Sequence, residues 1–343
     1  MVLKNFDLTN KIDEFESDFK SISESLINLQ VFETSSSCES NFKDSVRIGM
    51  EQIDLVRRIS DLYPDYVYTL KNSSEIDILS KKLGVIIGMK GGHVIDSSLE
   101  VLRAFYEMGL RKFGIFGDCP EGEVQVWRDF TKNIVGECNR LGIWLDVSDG
   151  NLADIQNVVR MSESPVSVIC QGANCQNLDG ITLQLIKDKS GMVLLNSDDM
   201  DEMVEQATFL LNSIGAEFIG INSGMDKINT TGMKATDFPA FFEKLKENFS
   251  EDQIKGIQGE NLLNFLKKVE EAKNDEIFPD EAWIPDTNFN TEEQFLCWSE
   301  VEWKNNENSG ENDDNGNDEN DNNSGSEFIN FTVALTVFGF LLK

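Results

Sequence analysis

Val85-Ile86-Ile87-Gly88-Met89-Lys90-Gly91-Gly92-His93-Val94-Ile95-Asp96-Ser97-Ser98-Leu99-Glu100 is the segment that most clearly indicates the architecture of this protein. Its first part, Val85–Met89, is apolar on both faces, as expected of a strand buried in a parallel sheet. Ser97-Ser98-Leu99-Glu100 is a capping box that opens a helix, which we expect to end near Gly109. The stretch therefore predicts one strand–helix unit, with Lys90 at the carboxyl end of the strand.

The same unit recurs from about residue 28 to residue 272. Six further runs are β-branched or aromatic and apolar on both faces: Leu29–Phe32, Lys112–Phe116, Ile143–Val147, Val166–Cys170, Met192–Leu195 and Glu217–Ile221. Helical patterns separate them, and repeated units of this kind indicate an α/β protein with a parallel sheet. We expect a (β/α)8 TIM-type barrel that lacks its first strand. Periodicity alone leaves an open sheet as the alternative.

Charge and composition exclude several classes of function. The formal net charge is −31, which argues against nucleic acid and anionic membrane surfaces as partners, because the long-range field repels both. The chain has one histidine, His93, so a site built from several imidazoles is excluded. Because no cysteine pair has C-x-x-C spacing, a zinc ribbon is also disfavoured.

The composition divides the chain into three parts. Residues 1–304 form the predicted barrel domain, and 305–327 are an acidic stretch too poor in apolar residues to fold, which we interpret as a disordered linker. The apolar tail, 328–343, is shorter than the roughly 20 residues that span a bilayer. Its layout is typical of a glycosylphosphatidylinositol (GPI) anchor signal. A fraying terminus and a weak membrane helix are the alternatives.

The two ends of the chain give conflicting indications of whether the protein is secreted. Met1-Val2-Leu3-Lys4-Asn5 lacks the apolar run of a signal peptide, so either the anchor hypothesis is wrong or the chain has lost its true beginning. Glycosylation sequons at Asn72, Asn229 and Asn248 fit a surface or secreted protein, although such sequons also arise by chance.

In a barrel of this type, chemistry occurs at the carboxyl ends of the strands. Here those positions hold Lys90, Gly117, Asp149, Cys170, Asn196 and Asn222 to Asp226. Asp149, Cys170 and Asp226 could bind a metal in principle, but Lys90 would place a positive charge among them.

Three stretches resemble the membrane (renal) dipeptidase family: Gly91–Tyr106, Asn139–Ile143 and Gly259–Leu263. The similarity runs from about Phe6 to Trp303. The resemblance implies a barrel of the metallo-dependent hydrolase kind that holds two zinc ions. It also implies a homodimer, a lipid anchor and hydrolysis of dipeptides outside the cell.

The family's metal ligands do not recur here. Its early H-x-D motif is absent, and Lys90, Asp149 and Cys170 stand where the resemblance places a bridging glutamate and two zinc histidines. Gly117, Gln176 and Gly224 stand where it places a substrate-binding histidine, an arginine and a carboxylate. A bridging ammonium would repel two zinc ions, so we predict no bound cofactor.

The cysteines match the family better. The resemblance implies an intrachain disulfide between Cys38 and Cys119 and an intersubunit disulfide through Cys297. It leaves Cys175 without its family partner, and we expect that thiol to be free. Cys138 is expected to be a buried helix residue, and His93 to pack or form hydrogen bonds rather than bind metal.

These observations predict a catalytically inactive, dipeptidase-like protein, a pseudoenzyme with a scaffold or ligand-binding role at the cell surface or outside the cell. The alternative is an active zinc dipeptidase with a remodelled site. In that case carboxylation of Lys90 would restore a bridge between the two ions, with Asp149 and Cys170 as ligands.

Overall fold

The computed structural model describes residues 27–36, 38–40, 43–77, 82–117, 124–222 and 233–274, and the backbone of 335–337. The strands are β1 (Ile27–Ser35), β2 (Val67–Thr69), β3 (Leu83–Lys90), β4 (Leu110–Gly114), β5 (Trp144–Asp146), β6 (Val166–Ile169), β7 (Met192–Leu195), β8 (Ile219–Ile221) and β9 (Leu335–Val337).

All the strands belong to one curved sheet. Seven lie in the order β8-β7-β6-β5-β4-β3-β1, each parallel to the next, while β2 pairs with the start of β3 and β9 lies antiparallel beside β1. Each of the seven predicted strands overlaps one of these parallel strands, so the α/β architecture of TIM-barrel type is confirmed. The sequence did not predict β2, and it did not predict β9 because the stretch 328–343 was interpreted as an anchor signal.

Helices follow most of the strands. They are α1 (Ser45–Leu62), α2 (Leu99–Met108), α3 (Val124–Leu141), α4 (Leu152–Met161), α5 (Gly180–Asp188), α6 (Met200–Ser213), α7 (Phe238–Leu245), α8 (Glu251–Lys255) and α9 (Asn261–Glu271). Within the described part of the chain, none of them combines the length and the apolar character that a bilayer-spanning helix requires.

The ends of α2 follow from its sequence. Ser98 is the N-cap and its hydroxyl accepts a hydrogen bond from the Val101 N–H at 3.3 Å, so the cap is Ser98 rather than Ser97. Gly109 ends the helix with a φ of +117°, which only glycine adopts without strain. The predicted boundary of this helix is therefore confirmed.

Alternate strand residues supply two separate cores. Ile87, Phe113 and Val193 pack outward against the helices, whereas Ile86, Trp144 and Leu194 face the barrel interior. This alternation explains why the strands are apolar on both faces: each face is covered by a different layer.

Helix α9, the last helix that the structure describes, packs against the amino end of the barrel. Leu262, Phe265, Leu266 and Val269 of α9 join the interior core, and the Phe265 ring meets the edge of Trp144 at a centroid distance of 5.4 Å. Asn261 holds the start of this helix in place, because its side-chain amide donates to the carbonyls of Ala216 and Ile219 at 2.7 and 2.9 Å.

Candidate functional site at the carboxyl end of the barrel

The carboxyl ends of the parallel strands gather polar side chains around a small cavity of about 50 Å³. Lys90 and Asp149 line it together with Asn196 and Asn222, four of the positions that the sequence placed just past a strand. The Asn222 amide donates to the Asn196 side chain at 3.3 Å, and Asn222 Oδ1 is buried with no hydrogen-bond partner among the described residues. The sequence therefore located the barrel mouth correctly.

An ion pair crosses this mouth. Lys90 Nζ lies 2.8 Å from Asp149 Oδ2, and the two side chains are only 23% and 25% exposed. Lys90 ends β3, and Asp149 follows β5 with a φ of +68°, a left-handed conformation that aspartate tolerates better than most residues. The mouth thus holds a lysine ammonium paired with a carboxylate.

A second lysine lies deeper in the barrel. The Lys112 ammonium contacts the Glu33 carboxylate and lies 3.3 Å from Asp146 Oδ2, and each of the three side chains is at most 5% exposed. Burial alone lowers the pKa of Lys112, but the Asp146 and Glu33 carboxylates raise it overall above its ordinary value of 10.5. Lys112 is therefore a protonated structural cation and not a free amine.

Hydrogen bonds continue from this cluster toward the amino end. The Trp144 indole N–H donates to Ser167 Oγ at 2.7 Å, and the Ser167 hydroxyl donates to Asp146 Oδ2 at 2.7 Å. Burial raises the pKa of Asp146, but the Lys112 charge and hydrogen bonds from Ser148 and Ser167 leave it below its ordinary value of 3.8. Asp146 is consequently ionised and fully engaged.

Sequence reasoning did not identify this inner cluster of Glu33, Lys112 and Asp146. Two of its members lie inside segments that were interpreted as uniformly apolar strands, Lys112–Phe116 and Ile143–Val147. The available indication of a buried ionic cluster was a charged residue at an inward-facing strand position. Such a residue needs an oppositely charged partner from a neighbouring strand.

Cys170 and Cys175 form a disulfide in the loop after β6. The expectation that Cys175 is free is therefore wrong. Its partner is Cys170, which the resemblance had placed at a metal-ligand position. Both residues are fully buried, and a sulfur bonded to another sulfur is not a thiolate that could bind a metal.

The other predicted site positions are either featureless or not described. A Cβ atom built on Gly117 would lie 3.0 Å from the Cα of Gly91, so the backbone leaves little room for a side chain there. Gln176 is exposed in the loop that holds the disulfide. Gly224 and Asp226 lie outside the described residues.

His93 ties two segments of the backbone together. Its Nε2 lies 3.0 Å from the carbonyl oxygen of Ser36, an atom that can only accept, so Nε2 carries the proton and donates. Ser36 follows β1, and His93 lies in the turn after β3. The expectation that His93 forms hydrogen bonds is confirmed.

Other predicted cysteine and sequon positions have mixed outcomes. Cys138 is a buried free thiol, as expected, and burial raises its pKa. Cys38 is disulfide-bonded, but Cys119 and Cys297 lie outside the described residues, so their pairings stay predictions. Asn72 and Asn248 are exposed, and Asn229 is not described.

The mouth residues that the structure describes do not fit a two-zinc centre. Within the described ranges, no three or more His, Cys, Asp or Glu side chains are grouped so that they could hold a metal ion. The carboxylates that do approach the interior, Glu33, Asp146 and Asp149, each face a lysine ammonium. These carboxylate oxygens accept from lysine ammonium groups. In a metal centre they would instead coordinate a shared ion.

Comparison of the sequence with family models and with curated proteins identifies one family. A family model described as membrane dipeptidase (peptidase family M19) matches residues 1–278. Dipeptidase 3 of Homo sapiens is 29% identical over 307 residues, which cover 80% of this chain and 62% of that protein. The chain thus spans less than two thirds of that relative.

Two solved structures share the fold. The crystal structure of dipeptidase AC, a metallo peptidase of family M19, superposes with a TM-score of 0.66 at 18% identity, covering 74% of this chain and 89% of that chain. A metallo peptidase from Rhodobacter sphaeroides, liganded with a phosphinate mimic of the dipeptide L-Ala-D-Ala, gives 0.65 at 17% identity, covering 74% and 90%.

Proposed function

This chain belongs to the membrane dipeptidase family, peptidase family M19, and on that premise we propose that it is a catalytically inactive member. We propose further that it acts at the cell surface or outside the cell, as a scaffold or as a protein that binds a ligand without hydrolysing it. The family is one of metallodipeptidases, so the proposal concerns what this member has lost.

The observation that carries the proposal is the ion pair between Lys90 and Asp149. A two-zinc hydrolase needs a carboxylate between ions roughly 3.5–4 Å apart, and that carboxylate must attract both dications. At the equivalent position Lys90 presents an ammonium, which repels cations, and its 2.8 Å contact satisfies the carboxylate of Asp149. This pairing supports a mouth that needs no metal ion to balance the charge of Asp149.

Two neighbouring features support the same proposal. The sulfur of Cys170 is bonded to Cys175, and Gly117 offers no side chain where the resemblance implies a substrate-binding histidine. Restoring one ligand would leave the others missing, and zinc sites need three or four ligands to bind tightly.

The alternative, an active zinc dipeptidase with a carboxylated Lys90, needs a neutral amine to react with carbon dioxide. The Lys90 amine lies 2.8 Å from the Asp149 carboxylate, and this ion pair would have to be broken for that reaction. A variant separates the two hypotheses: Lys90→Ala abolishes hydrolysis if the alternative is correct and changes nothing if the enzyme is already inactive.

The deciding experiment measures metal content and dipeptide hydrolysis on the purified full chain after dialysis against zinc. The Rhodobacter sphaeroides metallo peptidase, prepared in parallel, is the positive control. We expect zinc well below one ion per chain and hydrolysis at the rate of the buffer blank. Two retained zinc ions per chain together with chelator-sensitive hydrolysis would overturn the proposal.

We also propose that the chain is a glycosylated homodimer held at the surface by a GPI anchor. The sequons at Asn72, Asn229 and Asn248, Cys297 and the composition of 328–343 support this proposal. Cleavage of the anchor signal would remove β9 from its place beside β1. Expressed in a secretory host, the protein should lose mass with a glycosidase, migrate as a dimer without reductant and leave the membrane on phospholipase treatment. Failure of any one of these removes that part of the proposal.

A further inference from the structure

A larger cavity, of about 280 Å³, opens at the amino end of the barrel, opposite the mouth. Its inner wall is apolar and is built from Leu70 after β2, Ile86 on β3, Trp144 on β5, and Leu266 and Val269 on α9. All five side chains are at most 7% exposed. The volume suits a molecule with a single ring or a short branched chain, since pockets for drug-sized ligands begin at roughly 300 Å³.

The rim of this amino-end cavity is cationic, although the chain as a whole is strongly acidic. Lys71, Arg111 and Lys273 line it, and Glu270 is the one acidic residue among the lining side chains. Glu270 is already engaged, because it accepts hydrogen bonds from the backbone N–H and the hydroxyl of Ser73 at 2.5 and 2.6 Å.

A bulge in the sheet places Arg111 at the cavity. Ile87 pairs with Leu110 and Gly88 with Lys112, so Arg111 is the extra residue on β4. An extra residue of this kind redirects its side chain out of the regular alternation. The Arg111 guanidinium lies over the Tyr106 ring, 4.1 Å from its centroid. Its Nε donates to the Lys71 carbonyl at 2.6 Å, and its Nη1 donates to the carbonyls of Tyr106 and Leu110.

Arg111 is thus fixed in position by carbonyl oxygens and the Tyr106 ring, and the charges of Glu75, Glu107 and Glu270 act on it only from beyond ion-pair distance. No carboxylate lies within 4.0 Å of it in the described part of the chain, and its Nη2 has no hydrogen-bond partner there. Partial burial lowers the pKa of Arg111, which is still a cation at neutral pH. A partly buried guanidinium of this kind usually pairs with an anion.

From this geometry we propose that the amino-end cavity binds a small carboxylate that carries one aromatic or branched aliphatic group. The carboxylate pairs with Arg111 at the rim, and the apolar group packs between Trp144 and Leu266. Because the site lies at the other end of the barrel from Lys90 and Asp149, it does not depend on whether the mouth is active.

The test uses 3-phenylpropanoate as the probe and 3-phenylpropan-1-ol as the neutral probe of the same shape. Binding to the full chain is followed by ligand-observed saturation-transfer NMR and by calorimetry at low salt. A charge-assisted hydrogen bond predicts about tenfold tighter binding of the acid. Equal affinities, or no saturable binding of the acid, would overturn the proposal.

Three variants locate the site. Arg111→Lys keeps the charge but removes the planar guanidinium, whose two parallel N–H donors match a carboxylate. We therefore expect binding of the acid to weaken severalfold. Arg111 also donates to three backbone carbonyls, so its variant can fail to fold. The second variant is therefore Lys71→Glu on the exposed rim, which should weaken binding of the acid and leave binding of the alcohol unchanged. Lys267→Glu makes the same charge change on the exposed face of α9 and should leave both affinities unchanged. If Lys71→Glu and Lys267→Glu behave alike, the rim does not bind the carboxylate.

Discussion

Lys112 Nζ lies 3.3 Å from Asp146 Oδ2 in the interior of the barrel, where neither side chain is more than 5% exposed. With Glu33 on the other side of the ammonium, two carboxylates share one buried cation. Removing one member of a buried ionic group is costly, because the remaining charges stay away from water without a partner.

Lys112→Met should therefore destabilise the protein strongly. We expect the free energy of unfolding to fall by about 3–5 kcal/mol, since Glu33 and Asp146 lose their common partner. Urea denaturation followed by circular dichroism measures the change. The control is Lys246→Met, whose exposed pair with Glu243 should contribute roughly 0–1 kcal/mol. Equal midpoints for the two variants would contradict the importance of the buried cluster.

Stability should decline in acid partly through Asp146. Although burial raises its pKa, Lys112 and the serine hydrogen bonds lower it overall, so the folded protein takes up this proton at a lower pH than the unfolded chain. The stabilisation is then present above the ordinary pKa of 3.8 and is lost as pH falls through the folded-state pKa.

Unfolding free energies measured from pH 6 downward test this dependence. Asp146→Asn should have a lower free energy of unfolding than the parent protein at neutral pH. On acidification, its free energy of unfolding should fall by less than that of the parent. Asp54→Asn, on the exposed face of α1, should follow the parent curve. Parallel curves for the parent and Asp146→Asn would show that the carboxylate does not titrate with folding.

The Cys170–Cys175 disulfide closes a short loop, because the two cysteines are only five residues apart in sequence. In the chain-entropy model a loop of this length contributes about 2 kcal/mol, so the double variant Cys170→Ala/Cys175→Ala should be destabilised by that amount. Peptide mapping without reduction should recover the two cysteines in one linked fragment. Cys138 serves as the internal control, because its buried thiol should be alkylated only after unfolding. Recovery of alkylated Cys175 from the folded protein would contradict the pairing.

Lys90→Glu recreates the acidic residue that the resemblance places at the mouth. We expect no tight zinc binding even so, because Cys170 is held in a disulfide and the new carboxylate repels Asp149. Zinc content after dialysis should stay below one ion per chain, as for the isosteric control Lys90→Gln. Stoichiometric zinc in the glutamate variant alone would mean that Lys90 is the only barrier to metal binding.

Periodicity was sufficient to locate the seven parallel strands and the ends of α2, because strand burial and helix capping are local properties of the chain. The partners of buried charges are not local. Nothing near Lys112 in sequence indicates that Glu33 and Asp146 lie beside it, since β1, β4 and β5 meet only when the sheet forms. The Cys170–Cys175 bond was missed for a different reason: the family pattern assigned Cys170 to a metal position, and that assignment removed it from consideration as a disulfide partner.

The close approach at Gly117 bears on evolutionary reversibility. A Cβ atom there would lie 3.0 Å from the Gly91 backbone, so a histidine could be accommodated only after the turn beyond β3 had moved. That turn is held by the bonds from Gly91 N–H to the Gly114 carbonyl and from His93 to Ser36. Substitution of Gly117 by histidine alone is therefore expected to lower stability. Backbone packing therefore opposes the return of the histidine that the resemblance implies at this position, independently of any selection on the mouth.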